Sequence, residues 1–255
     1  MTTEIITLPC LSDNYAFLIH TPDSHQTILI DAPEPAAVSR ALARRDWRLT
    51  HILLTHHHGD HTDGAAALRA QSGAEVYGAE ADAHRLPRLD HTFTAGKTLR
   101  LAGHSCVIID TPGHTIGHVA FHFPGLNAAF TADSLMALGC GRLFEGTAAQ
   151  MLGSLRALAA LPDDTIIYSG HEYTLTNARF ALTIEPDNPA LIRRAQQTEQ
   201  AARDGRPTVP SPLALEKATN PFLRAHLPEV KAALGMKNAP DVAVFAEIRA
   251  RKDRF

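Results

Sequence analysis

The sequence predicts an α/β fold, with a mixed β-rich domain over residues 1–172 followed by a smaller helical domain over residues 173–255. Three observations predict it. Short apolar runs rich in β-branched residues alternate with turn formers through the first part of the chain. His and Asp residues fall just past the ends of those runs, where a rigid sheet positions functional loops. Beyond about residue 172 the strand-like runs stop and helix-like segments take over.

The elements follow in order. Ile5 to Leu8, Ala16 to Ile19 and Thr27 to Ile30 read as consecutive antiparallel strands, separated by Ser12-Asp13-Asn14 and Pro22-Asp23-Ser24. Pro33 to Arg44 is Ala-rich and helix-like. Thr50 to Leu54 is a buried strand. Thr62 or Asp63 is expected to cap a helix over Ala65 to Ala70, which Gly73 ends. Cys106 to Asp110 and His118 to Phe123 read as strands flanking the loop Thr111-Pro112-Gly113-His114, and Ala128 to Thr131 as a short strand ending at Asp133. Thr147 to Leu161 is helical, with Met151, Leu155 and Leu158 on one face. Thr165 to Tyr168 is a last strand, followed by Ser169-Gly170-His171. Pro189 to Arg203 and Asp241 to Lys252 read as helices, and a Pro-rich segment over 206–212 lies between them.

A chain of 255 residues holds one large domain or one domain with an appendage. The net charge of -3 gives no basic footprint for nucleic acid or an anionic membrane. Cys10, Cys106 and Cys140 are odd in number and far apart, so they form neither a disulfide framework nor a zinc cysteine cluster. The N-terminus lacks a basic n-region and an apolar h-region, and no run approaches the ~18 apolar residues of a membrane span. These features predict a soluble cytoplasmic protein.

Thr55-His56-His57-His58-Gly59-Asp60-His61 is the densest chemical signal in the chain. Imidazole and carboxylate are ligands of divalent first-row metals. In an extended segment residues two apart point the same way, so His56, His58 and Asp60 can converge on one point while His61 faces another. Each of three later residues, His114, Asp133 and His171, also follows a strand. Each has a plainer reading: His114 as part of a Pro-Gly turn with His118 as a rival ligand, Asp133 as a helix cap, and His171 as a loop histidine. Seven ligands exceed one tetrahedral zinc and suit two metals sharing a carboxylate. His57 has no required role.

The order Thr-His-x-His-x-Asp-His, Pro-Gly-His-Thr, Asp, Gly-His resembles the metallo-β-lactamase superfamily. That resemblance implies a four-layer αββα sandwich with a binuclear metal site. Gly139-Cys140-Gly141-Arg142-Leu143-Phe144-Glu145-Gly146-Thr147, Gly170-His171-Glu172-Tyr173-Thr174 and the C-terminal Arg249 to Phe255 are similar to the glyoxalase II (hydroxyacylglutathione hydrolase) family. The resemblance implies two divalent ions, zinc foremost, with iron or manganese also acceptable to such donors. It implies His56, His58 and His114 on one ion, Asp60, His61 and His171 on the other, and Asp133 between them. It also implies Arg142, Phe144, Tyr173, Arg249 and Lys252 as glutathione contacts. A monomer is expected. Two departures stand out: Thr131-Ala132-Asp133-Ser134-Leu135-Met136 replaces the usual Gly-Asp-Thr-Leu-Phe run, and Phe144 stands where some members carry tyrosine.

The implied reaction is hydrolysis of an S-2-hydroxyacylglutathione thioester. A water shared by the ions would become the attacking hydroxide, with Asp60 and Asp133 as the catalytic carboxylates. A thiol of pKa near ~8.5 can leave without a strong acid. The alternatives are a lactonase or β-lactamase, an iron dioxygenase acting on glutathione persulfide, and a binding protein with structural metals. The helical tail, the second ligand set and the number of ligands argue against them in turn.

Overall fold

The computed structural model describes residues 2–255. The chain divides into two compact units. One runs to Asp110 and adds Gly117–Phe130; the other joins Thr111–Ile116 to Thr131–Phe255.

In the first unit, β1 (Glu4–Cys10), β2 (Asn14–Thr21) and β3 (Gln26–Ile30) form an antiparallel meander. Helix α1 (Pro35–Arg45) leads to β4 (Leu49–Leu53), which lies parallel to β3. The short α2 (Gly59–Thr62) and α3 (Ala65–Ser72) lead to β5 (Glu75–Ala79) and β6 (His91–Phe93), which extend the sheet in parallel. Strands β7 (Thr98–Leu101), β8 (His104–Asp110), β9 (Val119–Phe123) and β10 (Ala128–Ala132) form an antiparallel run.

Alternation along the strands builds two cores. Leu18, Leu29, Ile52 and Val76 pack against Val38 and Leu42 of α1 and Leu68 of α3. Each such side chain contributes about 1.5–3 kcal/mol when fully buried. The other face of β2 turns Phe17 toward Phe130 of β10, with ring centroids 5.4 Å apart, and Phe93 meets Phe121 at 5.8 Å. Helix, sheet and sheet thus stack within this unit.

Helix α3 is capped differently from the sequence expectation. Its N-cap is Gly64, and neither Thr62 nor Asp63 caps it. A Cβ at Gly64 would lie 2.9 Å from the Ala32 carbonyl, so the close approach requires glycine. Thr62 instead donates to the His58 carbonyl at 3.0 Å. Gly73 ends the helix at φ 73°, as expected.

The second unit holds a hairpin, β11 (Leu135–Met136) with β12 (Gly139–Cys140). No helix starts at Ser134, so Asp133 is not a helix cap. Helix α4 (Ala148–Ala159) opens on a Thr147–Gln150 capping box and buries Met151, Leu155 and Leu158. Strand β13 (Ile166–Ser169) precedes α5 (Thr174–Ile184) and α6 (Pro189–Arg203). The Pro-rich segment ends in a two-residue strand, β14 (Ser211–Pro212), paired with β13. Helices α7 (Leu213–Thr219), α8 (Pro228–Ala233) and α9 (Asp241–Arg254) complete the unit. Among the described residues no helix is long and apolar enough to cross a membrane.

Candidate functional site

In the first unit the tract follows β4 and changes conformation midway. His58 is extended (φ −62°, ψ 141°), and Gly59–Thr62 form one helical turn. The extended part behaves as the period-two reading expects, bringing His56 Nε2 within 3.1 Å of His58 Nδ1. The helical turn breaks that period. Asp60 does not continue the alternation; its Oδ2 lies 3.6 Å from His61 Nε2. The unit therefore offers two donor pairs.

Hydrogen bonds fix how these groups point. Asp31 follows β3 with φ 56°, a left-handed position that Asp tolerates better than most side chains. It accepts from the Thr55 backbone N–H (2.9 Å), the Thr55 hydroxyl (2.9 Å) and His61 Nδ1 (2.8 Å). The Thr55 hydroxyl spends its proton on Asp31, so its oxygen accepts from His56 Nδ1 at 3.0 Å. Both imidazoles thus carry their proton on Nδ1 and keep the Nε2 lone pair for a ligand, the usual arrangement behind metal-binding histidines. Asn14 Nδ2 donates to Asp60 Oδ2 at 2.9 Å. His57 turns to Asp82, with Nδ1 3.2 Å from Oδ2, and Asp82 is also clamped by Arg85. His118 is fully buried with its ring 4.8 Å from that of His56.

The second unit assembles its candidates from three separate strand ends. The loop carrying His114 is docked on α4 through Ser154 Oγ, which donates to the Pro112 carbonyl at 2.7 Å. Gly113 sits at φ 152°, and a Cβ there would come within 2.7 Å of Met151 Cβ. His114 Nδ1 donates to the Arg142 carbonyl at 2.8 Å, which again leaves Nε2 as the available donor atom. Asp133 follows β10, and His171 follows β13. Asp133 Oδ2 lies 3.4 Å from His114 Nε2 and 3.4 Å from His171 Nε2. One carboxylate oxygen is shared between two imidazoles.

These separations test the fit to a metal. Two donors roughly 2.0–2.1 Å from a tetrahedral zinc sit about 3.3–3.4 Å from each other. The four pairs, at 3.1, 3.6, 3.4 and 3.4 Å, bracket that value. Nitrogen and carboxylate donors alone suit zinc, iron or manganese.

Around the second-unit candidates, Tyr173 stacks on His171 at 4.8 Å and 9°, and Phe144 lies 5.2 Å from His114. Phe144 is 63% exposed and Tyr173 40%, so both rings border solvent beside the imidazoles. Arg142 is exposed, and its Nε is 4.0 Å from Asp253. Lys252 is half-buried between the rings of Phe180 and Phe255. Burial and the neighbouring Arg249 and Arg142 lower its pKa to about 8.

Arg249, which the resemblance implies as a glutathione contact, points inward. It is 5% exposed, and its guanidinium donates to the Cys140 carbonyl (2.9 Å) and pairs with Asp253 (2.8 Å). Cys140 is buried, which pushes its thiol up to about 11, so it offers no ready nucleophile.

Sequence reasoning missed Asp31, Asn14 and Asp82. Asp31 carries the same signal that picks out Asp133, an acid just past the apolar run Ile28-Leu29-Ile30. Asn14 and Asp82 carry no local signal.

Comparison with known proteins identifies the family. The profile described as metallo-beta-lactamase superfamily matches residues 12–171, and the one described as hydroxyacylglutathione hydrolase C-terminus matches residues 172–255. The hydroxyacylglutathione hydrolase of Ruegeria pomeroyi is 60% identical over 255 residues, all of this chain and all of that one. The crystal structure of ETHE1 from Myxococcus xanthus superimposes with a TM-score of 0.65 at 27% identity, covering 99% of this chain and 98% of that one. A crystal structure described as a di-iron-bound form gives 0.63 at 25% identity, covering 86% of this chain and all of the other. With the metallo-β-lactamase fold and full-length identity of this order, the chain belongs to the hydroxyacylglutathione hydrolase family of the metallo-β-lactamase superfamily.

Proposed function

We propose that this protein hydrolyses the thioester of S-2-hydroxyacylglutathione, typically S-D-lactoylglutathione, to glutathione and a 2-hydroxy acid such as D-lactate, the second step of methylglyoxal detoxification. Full-length 60% identity to a hydroxyacylglutathione hydrolase supports the substrate. One geometric observation carries the metal part: a single oxygen of Asp133 stands at ligand–ligand distance from both His114 and His171. In this reading His56, His58 and His114 would hold one ion and Asp60, His61 and His171 a second, with Asp133 available to both. Zinc is the first choice, with iron or manganese compatible with the same donors.

When bound, two divalent ions lower the pKa of water from 15.7 toward ~7 and polarise a carbonyl. The chain supplies the rest. Asp31, Thr55 and the Arg142 carbonyl hold three imidazoles in one tautomer before substrate arrives, so no reorganisation is needed during reaction. Asn14 fixes the Asp60 carboxylate, which orients the attacking water. The leaving thiol, of pKa near ~8.5, departs as thiolate without a general acid.

Phe144 and Tyr173 receive the glutathione backbone beside the imidazoles. Arg142 and Lys252 pair with its carboxylates. Arg249 contributes from behind, holding Asp253 and Cys140 next to Arg142. Residues 173–255 form the helical glutathione-binding domain, and 1–172 the catalytic one. The three buried, unpaired thiols support a reducing, cytoplasmic setting, and we place the protein there as a monomer.

The test is release of free thiol from S-D-lactoylglutathione by the purified protein. Turnover should stop with a chelator and return with zinc. A metal-loaded protein that releases no thiol would refute the substrate assignment.

A further inference from the structure

The hairpin β11–β12 separates Asp133 from Arg142, whose carbonyl orients His114. Its base presses on both candidate ligands. The Gly141 backbone N–H donates to the Ser134 carbonyl at 3.3 Å. A Cβ at Gly141 would lie 2.0 Å from the Asp133 carbonyl oxygen and 3.0 Å from His114 Nδ1. Any shift of the hairpin therefore moves both groups.

Yet the hairpin is poorly built to hold itself. Its strands are two residues each, and an isolated two-stranded ribbon is marginal at best. At its tip Leu138 has φ 57°, a left-handed position that glycine or asparagine normally fills in a tight turn. Something outside the hairpin must keep it in place.

That support comes from the helical segment. Glu216 of α7 is completely buried. Its Oε2 accepts from the Leu138 backbone N–H at 2.9 Å and from Asn220 Nδ2 at 3.2 Å. Its Oε1 accepts from Ser211 Oγ and Arg194 Nη2. Arg194 is itself anchored on Thr219 Oγ1 at 2.7 Å. Asn220 also reaches the Met136 and Gly139 carbonyls at 3.1 and 3.0 Å, and Asn177 the Ala137 carbonyl at 3.0 Å. All four residues of the tip and its flanks, 136 to 139, are thus hydrogen-bonded by side chains from α5 and from 216–220.

We propose that Glu216 is a positioning residue for the metal ligands: through the Leu138 N–H it sets the hairpin, and through the hairpin it sets Asp133 and His114. The helical segment then helps to build the metal centre as well as to capture substrate. This inference rests on the ligand assignment proposed above. A buried carboxylate with four donors, one of them a guanidinium, gives a rigid anchor. A half-satisfied one does not, which makes the amide variant informative.

The experiment compares zinc-loaded parent, Glu216→Gln and Phe245→Leu. Phe245 is a fully buried α9 residue packed against Phe222. Its variant controls for general loss of stability. Transfer of zinc to a chromophoric chelator is timed well below each melting temperature. Release from Glu216→Gln should be faster by about 10-fold or more, the usual scale for groups supporting a ligand. Its kcat should fall while KM for the thioester stays within about two-fold, as for a change that spares substrate binding. Release no faster than from Phe245→Leu would overturn the proposal. If Glu216→Gln does not fold, Asn177→Ala, which removes only the Ala137 bond, serves instead: release about 3-fold faster is expected, and parent-like release overturns it. A parent holding fewer than two ions would overturn the ligand assignment and this inference together, whereas a two-ion parent with an unchanged variant would overturn this inference alone.

Discussion

The two units reach the same end, a set of oriented candidate metal donors, by opposite routes. The first takes four candidates from six consecutive residues, His56 to His61, and needs only a strand end and one helical turn to aim them. The second collects His114, Asp133 and His171 from three strand ends and aims them through a docked loop and a propped hairpin. A contiguous tract carries its geometry in local backbone conformation. A dispersed set has to borrow geometry from buried polar contacts, so it depends on residues far away in the sequence. The second set should therefore be the more sensitive to changes remote from the ligands.

Asp133→Ala should have the largest effect, because the dispersed set loses the one oxygen that two imidazoles share. Turnover is expected to fall by about three orders of magnitude or more, equivalent to ~4 kcal/mol of transition-state stabilisation, and metal content should fall with it. A variant that keeps two ions and near-parent turnover would break the bridging assignment.

His114→Ala and His118→Ala come next. The first removes a donor and should lose metal. The second removes a ring packed behind His56, so it should lower the melting temperature while leaving metal content nearly intact. Metal loss in the His118 variant alone would reverse the choice between them.

The prediction for the C-terminal helix separates two basic neighbours. Arg249→Ala breaks bonds to Cys140 and Asp253 and should cost about 1–3 kcal/mol of stability. Lys252→Ala should instead raise KM. Lys252 faces Arg249, Arg142 and Asp253, and its ammonium is lost as pH rises through about 8. An anionic substrate prefers the protonated form, so KM of the parent should climb above that pH. Lys252→Arg, which stays charged, should abolish the climb. A KM–pH profile identical in parent and Lys252→Arg would remove Lys252 from the binding set.

Phe144→Tyr should have the smallest effect, a gain of ~0.5–1.5 kcal/mol in thioester binding from one added hydroxyl. An unchanged or higher KM would mean that the ring does not meet substrate.

The same contrast explains what could be read from the sequence. The histidine tract was visible because its chemistry is contiguous. Position just past a strand marks His114, Asp133 and His171, and it marks Asp31 after β3 as well. Long helices such as α6 and α9 stand out because strand-like runs stop beyond about residue 172. Strands β5, β6 and β7 do not, being three to five residues long with weak alternation. Asp60 was misaimed by the period-two argument because the backbone turns helical at Gly59. The cap of α3 went astray because a close backbone approach, and no side-chain bond, selects Gly64. Glu216 and Asn220 could not be found at all, since nothing near them in sequence refers to the hairpin they hold.

The most direct test of the shared-carboxylate account is metal analysis of the zinc-loaded parent, combined with X-ray absorption of the same sample. Two ions per chain are expected, with metal–metal scattering at ~3.5–4 Å, the spacing of a hydrolytic pair, and loss of that scattering in Asp133→Ala. A single ion per chain, or two ions without a metal–metal vector in the parent, would contradict it.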